Sequence, residues 1–282
     1  MIKFQHTVFA LPFAVIALVS AFPGAYPPLR IWLLVLAAMI TARTAAMAFN
    51  RLVDHGVDLE NPRTASRSLP AGRLGRGYVW GVTLVSSFLF VVAAGMLNRL
   101  CLILALPTLV FLLGYSYTKR FTAASHLWLG ASLGLAPVGA WVAATGRLQA
   151  PAVILGAGVL MWVAGFDIIY SLQDEAFDRL HGLHSVPSYF GAQRALLLSR
   201  LLHIGACLGF AVFAVQTGGG PLRFSAVAGA AALLTWQHSL VRPGDLSRVD
   251  AAFFTANGVL SVIMGLLFVA AGFTDVVVLV RP

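Results

Sequence analysis

Acidic side chains recur in two short ladders, each at the end of a long apolar stretch. The first is Asn50, Asp54 and Asp58 in NRLVDHGVD. The second is Asp167, Tyr170, Asp174 and Asp178 in DIIYSLQDEAFD. Steps of three, four, seven and eleven return to nearly one face of an α-helix, so each ladder aims its oxygens along one stripe. Close carboxylates repel unless a cation or an arginine neutralises them. Carboxylates beside a bilayer are costly and mark function. Two facing stripes supply the hard oxygens that Mg2+ prefers, with waters and a diphosphate completing the shell. The metal set read this way is Asn50, Asp54, Asp58, Asp174 and Asp178. The catalytic candidates are Asp54, Asp58, Asp167, Asp174 and Asp178.

A diphosphate also needs cations from the protein. Lys119 and Arg120 close YSYTKR at a predicted helix end, and Lys119 is the preferred phosphate contact. Arg63 and Arg67 follow the first ladder in a loop. Arg43 sits about two turns inside the apolar stretch, on the acidic stripe, where an arginine needs a partner. It reads either as an ion-pair partner of Asp54 or Asp167, or as the anchor for the carboxylate or phenolate of an aromatic acceptor. Tyr170 stands between two aspartates, where its ring can face a carbocation and its hydroxyl can reach phosphate. Tyr115 and Tyr117 lie near Lys119, and tyrosines also gather at membrane interfaces for reasons unrelated to catalysis.

Other chemistry finds little support. His181 and His184 read as loop or helix-end residues, with no cysteine–histidine cluster for zinc. Cys101 and Cys207 lie in apolar stretches and suggest no disulfide framework. GRLGRG at 72–77 follows no predicted strand, so it lacks the setting of a nucleotide loop. No Ser-His-Asp constellation is visible. NPRT at 61–64 reads as a turn whose Asn-Pro ends a helix.

The elements that must carry these residues are membrane helices. The chain is 59% hydrophobic and 10% charged, whereas a soluble domain carries about 25% charged residues. Period-two alternation is absent, which argues against a barrel. Nine spans are expected, at roughly 7–23, 29–50, 78–97, 100–117, 124–145, 152–173, 191–215, 223–241 and 252–273. The first is read as a retained span rather than a signal peptide. The whole of 1–282 reads as one integral-membrane domain, with cap loops at about 51–77 and 174–190. The net charge is +9. Its arginines fall in loops beside spans, so positive-inside topology explains them and nucleic-acid binding is not implied.

Lys3, Arg51, Arg63, Arg67, Arg73, Arg76, Lys119, Arg120, Arg179, Arg194, Arg242 and Arg248 share one side when the N-terminus is cytoplasmic. Arg30, Arg99, Arg147, Arg223 and Arg281 fall on the other. Every acidic residue except Asp275 also lies on the Lys/Arg-rich side. Acidic residues do not set topology, so their gathering suits a cation-binding face. A shift of 120 residues pairs Asn50 with Tyr170, Asp54 with Asp174 and Asp58 with Asp178. That weak internal repeat places two equivalent helix ends around a central site.

NRLVDHGVD and DIIYSLQDEAFD resemble the two Asp-rich motifs of the UbiA superfamily of intramembrane prenyltransferases. LPAGRL, YSYTKRFT, LGLAPVGAW and GLHSVPSYFG are similar to its quinone-biosynthesis branch. The resemblance runs from HTVFALPF onward. It implies an all-α bundle of nine transmembrane helices around a central cavity, capped on the cytoplasmic side of a bacterial inner membrane. It implies Mg2+-dependent transfer of a polyprenyl group from polyprenyl diphosphate to an aromatic acid. The residues that match the first motif are Asn50, Asp54 and Asp58, and those that match the second are Asp167, Asp174 and Asp178. Asn50-Arg51 stands where many members carry a second polar residue such as Asp.

The acceptor expected first is of the 4-hydroxybenzoate type, in ubiquinone biosynthesis. A naphthoate-type acceptor of the futalosine route to menaquinone is the runner-up. A secondary transporter would also use buried carboxylates and a repeat. A lipid phosphotransferase of the CDP-alcohol type would need a denser Asp/Gly/Ala-Arg motif than this sequence has.

Overall fold

A computed structural model describes the backbone of residues 7–280 and the side chains of 9–274. Lys3 and Arg281, counted above for orientation, and the side chain of Asp275, the exception to the acidic clustering, lie outside the described residues. The chain forms α1 (Thr7–Ser20), α2 (Leu29–Val53), α3 (His55–Glu60), α4 (Arg76–Leu97), α5 (Arg99–Thr118), α6 (Ser125–Thr145), α7 (Ala150–Ser171), α8 (Glu175–Leu180), α9 (Val186–Gln216), α10 (Pro221–Ser239) and α11 (Ala256–Val280). Among the described residues there is no strand, only an isolated bridge between Arg242 and Asp245.

Each of the nine expected spans overlaps one helix. Seven of them, α2, α4, α5, α6, α7, α9 and α11, are long and apolar enough to cross a membrane. The chain is a multi-pass membrane protein. Among the described residues helix α1 has 14 residues, a rise of about 21 Å, less than a hydrocarbon core of about 30 Å. Local chemistry sets the ends. Asn98 accepts from the Cys101 N–H at 2.9 Å and starts α5. Gly146, at φ 67°, turns the chain out of α6. Ser185 and Ser188 form a reciprocal capping box at α9. The seventh span was expected from 191. Its helix begins earlier and breaks at Gly191, where φ is 75°, a value that suits glycine.

Helix α7 is the enclosed centre, packed between α6 and α9. Its approach to α6 depends on missing side chains. A Cβ on Gly134 would lie 2.5 Å from the Gly156 carbonyl oxygen, and one on Gly156 would lie 2.9 Å from that of Gly134. Small residues let membrane helices touch backbone to backbone. The core around α7 is aromatic: Phe9, Phe13, Trp162, Phe166, Phe210 and Phe253 are all buried. Trp162 Nε1 donates to Asn257 Oδ1 at 2.8 Å, and Asn257 Nδ2 donates to the Phe253 carbonyl at 2.8 Å. That pair supports a π-helical turn at Ala251–Thr255, a feature that often marks functional sites. Leu84, Phe88, Leu106, Val110, Leu208 and Leu266 are exposed, as a face turned to lipid requires.

The repeat has a structural counterpart. Helix α2 stops at Val53, and α7 gives way to a 3-10 turn at Leu172–Asp174. Asp54 and Asp174 then precede α3 and α8, with φ/ψ of −86°/6° and −100°/2°. The two short helices start 120 positions apart and have equal length. Each ladder therefore crosses a helix break instead of following one straight helix, as its spacing alone had suggested. The break turns each short helix into a cap and buries Asp58 and Asp178, both of which lie on those caps.

Candidate functional site

The ends of α2, α5 and α7 meet under the two caps. Arg63 fixes the junction. Its Nε donates to Asp174 Oδ1 at 3.0 Å and its Nη2 to Asp174 Oδ2 at 2.5 Å. Asn61 Oδ1 accepts from the Arg63 backbone N–H at 2.9 Å, and Asn61 Nδ2 reaches Asp174 Oδ1 at 3.4 Å. NPRT is thus more than a turn. It aims an arginine across the site.

Asp58 has a similar environment. Arg67 Nη1 donates to both its oxygens, at 2.7 and 2.9 Å, and Arg51 Nη1 lies at 3.5 Å. Asp54 accepts from Asn50 Nδ2 at 2.8 Å and faces Arg120 Nη2 at 3.5 Å. Burial, then the charge of Asp58, pushes the Asp54 carboxyl above its ordinary pKa. Burial lowers the Arg63 pKa, but the bonds to Asp174 outweigh it and the net shift is upward, so Arg63 stays charged. The arginine partners that close carboxylates require are present. Among the described residues no three His, Cys, Asp or Glu side chains converge as a ready-made metal cage. One acid is left over: Asp178 Oδ2 is buried with no hydrogen-bond partner.

Beneath this rim lies a cavity of about 800 Å³. Arg43, Asn50, Arg63, Lys119, Asp167, Tyr170 and Asp174 all line it. Deeper, the wall is apolar, with Val35, Met39, Leu97, Leu104, Leu133 and Leu148. Asp54, Asp58 and Asp178 stand behind the rim; Asp54 connects to it through Asn50, and Asp58 through Arg67 and Arg51. Arg43 is seven residues before Asn50, about 10 Å along α2. Tyr170 stacks on Phe253 with ring centroids 4.1 Å apart, and Arg63 Cζ lies 5.7 Å from the Tyr170 ring. Phe253, which carried no sequence signal, reaches the wall because of the π-helical turn. The second cap docks on α5, as the His184 N–H donates to the Lys119 carbonyl at 2.7 Å. Tyr117 is exposed and packs against Arg120 and Phe49.

The sequence reading also missed His126. Its Nδ1 lies 2.6 Å from Asp167 Oδ2. A lone histidine opening an apolar helix offers no pattern to read, and its partner is 41 positions away.

Residues 10–274 match the UbiA prenyltransferase family. The chain belongs to that family. As a UbiA-family prenyltransferase it is similar to a 4-hydroxybenzoate octaprenyltransferase of Aromatoleum aromaticum, 30% identical over 251 residues that cover 87% of this chain and 82% of the relative. It also resembles the solved apo structure of a UbiA homologue from Aeropyrum pernix K1, 33% identical with a TM-score of 0.86, covering 96% of this chain and 99% of that one. A UbiA homologue from Archaeoglobus fulgidus, solved with DMAPP and Mg2+, shares the fold at a TM-score of 0.72 and 20% identity, over 98% of both chains.

Proposed function

We propose that this chain transfers a polyprenyl group from polyprenyl diphosphate to an aromatic acid of the 4-hydroxybenzoate type, in respiratory quinone biosynthesis, with Mg2+. The supporting observation is one cavity that joins an acid-and-arginine mouth to a long apolar interior, with Arg43 between them. A charged leaving group and an oily tail need those two surroundings in one site. The name of the Aromatoleum relative supports the acceptor class.

The residues present fit Mg2+ bound together with diphosphate. All are hard oxygen donors, and Asp178 Oδ2 is buried and unpartnered. Mg2+ typically takes only one or two carboxylates and completes its shell with substrate phosphates and water, so a closed protein cage is not required. Its protein ligands would come from among Asn50, Asp54, Asp58, Asp174 and Asp178. When bound, it neutralises the charge that develops on the leaving diphosphate. Asp58 and Asp174 would exchange their guanidinium partners for the ion. Arg63, Arg67 and Lys119 would then face phosphate oxygens.

The apolar interior keeps water from the allylic carbocation. The Tyr170–Phe253 stack offers ring faces to that cation. Arg43 would bind the acceptor carboxylate and aim the ring at the cation. The electron pair of the broken C–O bond leaves with diphosphate, the ring carbon bonds the prenyl carbon, and the ring proton is lost. By the distribution of Lys and Arg, the capped end faces the cytoplasm of a bacterial inner membrane, with the N-terminus on that side. The chain is read as one domain, 1–282, with nine spans.

The test uses detergent-purified protein, Mg2+, labelled geranyl diphosphate and two acids, 4-hydroxybenzoate and a fused-ring naphthoate. A prenylated benzoate is expected. Preference for the naphthoate would move the acceptor, and no prenylated product from either would overturn the reading.

A further inference from the structure

His126 lies in the first turn of α6 and is 1% exposed, and Asp167 lines the cavity from α7. His126 has two partners. Its Nε2 lies 3.2 Å from the Val186 backbone N–H, the first residue of α9 as the chain returns from the second cap. A backbone N–H can only donate, so Nε2 must accept and carries no proton. The ring proton therefore sits on Nδ1 and points to Asp167 Oδ2 at 2.6 Å. This is a neutral histidine donating to a carboxylate. An imidazolium would place a second N–H against that of Val186. The contact consumes one Asp167 oxygen. No other hydrogen bond to Asp167 is present among the described residues, and its side chain is 17% exposed, so Oδ1 stays available to the cavity.

We propose that His126 is a positioning residue for the acceptor half of the reaction: it fixes Asp167 with one oxygen facing the acceptor, and ties that orientation to the seating of the second cap through Val186. The inference rests on the prenyl-transfer reading above. After the ring carbon has bonded the prenyl carbon, its C–H proton passes to Asp167 Oδ1 and the C–H electron pair returns to the ring. Held by Nδ1–H, the carboxylate cannot rotate away. Freed, it samples other rotamers, and the proton transfer slows.

The test is a double-mutant cycle. His126→Ala, His126→Leu and His126→Gln are made alone and with Asp167→Asn, and all are assayed with acceptor deuterated beside its hydroxyl. The Leu variant keeps the buried volume, so a folding loss in the Ala variant does not decide the outcome. Gln carries an N–H donor and a carbonyl acceptor and should restore both bonds. Asp167→Asn is expected to lower kcat about 100-fold, and His126→Ala or Leu about tenfold, with the KM for geranyl diphosphate unchanged. His126→Gln should recover most of that loss. A deuterium effect on kcat should appear in the Ala and Leu variants and be absent from the parent. In the Asp167→Asn background the histidine changes should cost nothing further. Multiplying losses with no isotope effect would assign His126 a purely structural role and overturn the inference. An inactive parent would instead overturn the prenyl-transfer reading.

Discussion

Arg63 grips both oxygens of Asp174 in a fork across 111 positions of sequence, from the loop after the first ladder to the second ladder. This pairing joins the two halves of the repeat at the cavity mouth. It also occupies a carboxylate that the proposed reaction needs for a metal ion, so the arginine and the ion compete for Asp174.

Replacing Arg63 should therefore act in two directions. Arg63→Ala should tighten Mg2+ binding in the absence of substrate, because Asp174 is freed. It should weaken prenyl-diphosphate binding by about 10- to 100-fold, the equivalent of a charge-assisted hydrogen bond worth about 1.5–3 kcal/mol. Arg63→Lys should restore little, since an ammonium cannot form the fork. Titration calorimetry with Mg2+ alone and with geranyl diphosphate plus Mg2+ measures both. Movement of both affinities in the same direction would rule out the competition.

Lys119 ends α5 beside the rim and lines the cavity. Lys119→Ala should raise the KM for prenyl diphosphate about tenfold, with the KM for the aromatic acid little changed. Steady-state kinetics with each substrate varied in turn makes the comparison. An unchanged KM for prenyl diphosphate would remove Lys119 from the phosphate site.

Arg43 should be selective for the acceptor. Arg43→Ala is expected to lower kcat/KM about 10- to 100-fold for 4-hydroxybenzoate, and far less for a phenol lacking the carboxylate. Equal losses with the two acceptors would mean that Arg43 holds the structure and not the acid.

Packing of α6 on α7 should be intolerant of added atoms. Gly134→Ala puts a Cβ against the Gly156 backbone, and overpacking of this kind costs about 1–3 kcal/mol. Gly139 has open space at its Cβ, so Gly139→Ala should leave the melting temperature near that of the parent. Thermal unfolding in detergent compares the pair, and equal melting temperatures would contradict the close contact.

The spans and the repeat were legible because both rest on local patterns: apolar runs of membrane length, and carboxylates at helical spacing. Asp54 with Asp174 and Asp58 with Asp178 could be paired by a simple shift. The helix breaks at Asp54 and Asp174 were not legible, since neither position is Pro or Gly and the nearby Gly56 falls inside α3. The arginine partners were only half legible. Arg51, Arg63 and Arg67 could be seen nearby, but which acid each takes depends on how the first cap folds over the second. His126 and Phe253 were invisible for the same reason. One acts through a partner on another helix and the other through a π-helical turn, and neither leaves a period in the sequence.

The central claim is that both ladders jointly hold a divalent cation and a diphosphate. Its most direct measurement is calorimetric binding of geranyl diphosphate to detergent-purified parent, Asp58→Asn and Asp174→Asn, each with Mg2+ and with EDTA. The parent should bind only with Mg2+, and either substitution should weaken that binding at least about tenfold. Binding that survives EDTA, or that persists undiminished in both variants, would contradict the account.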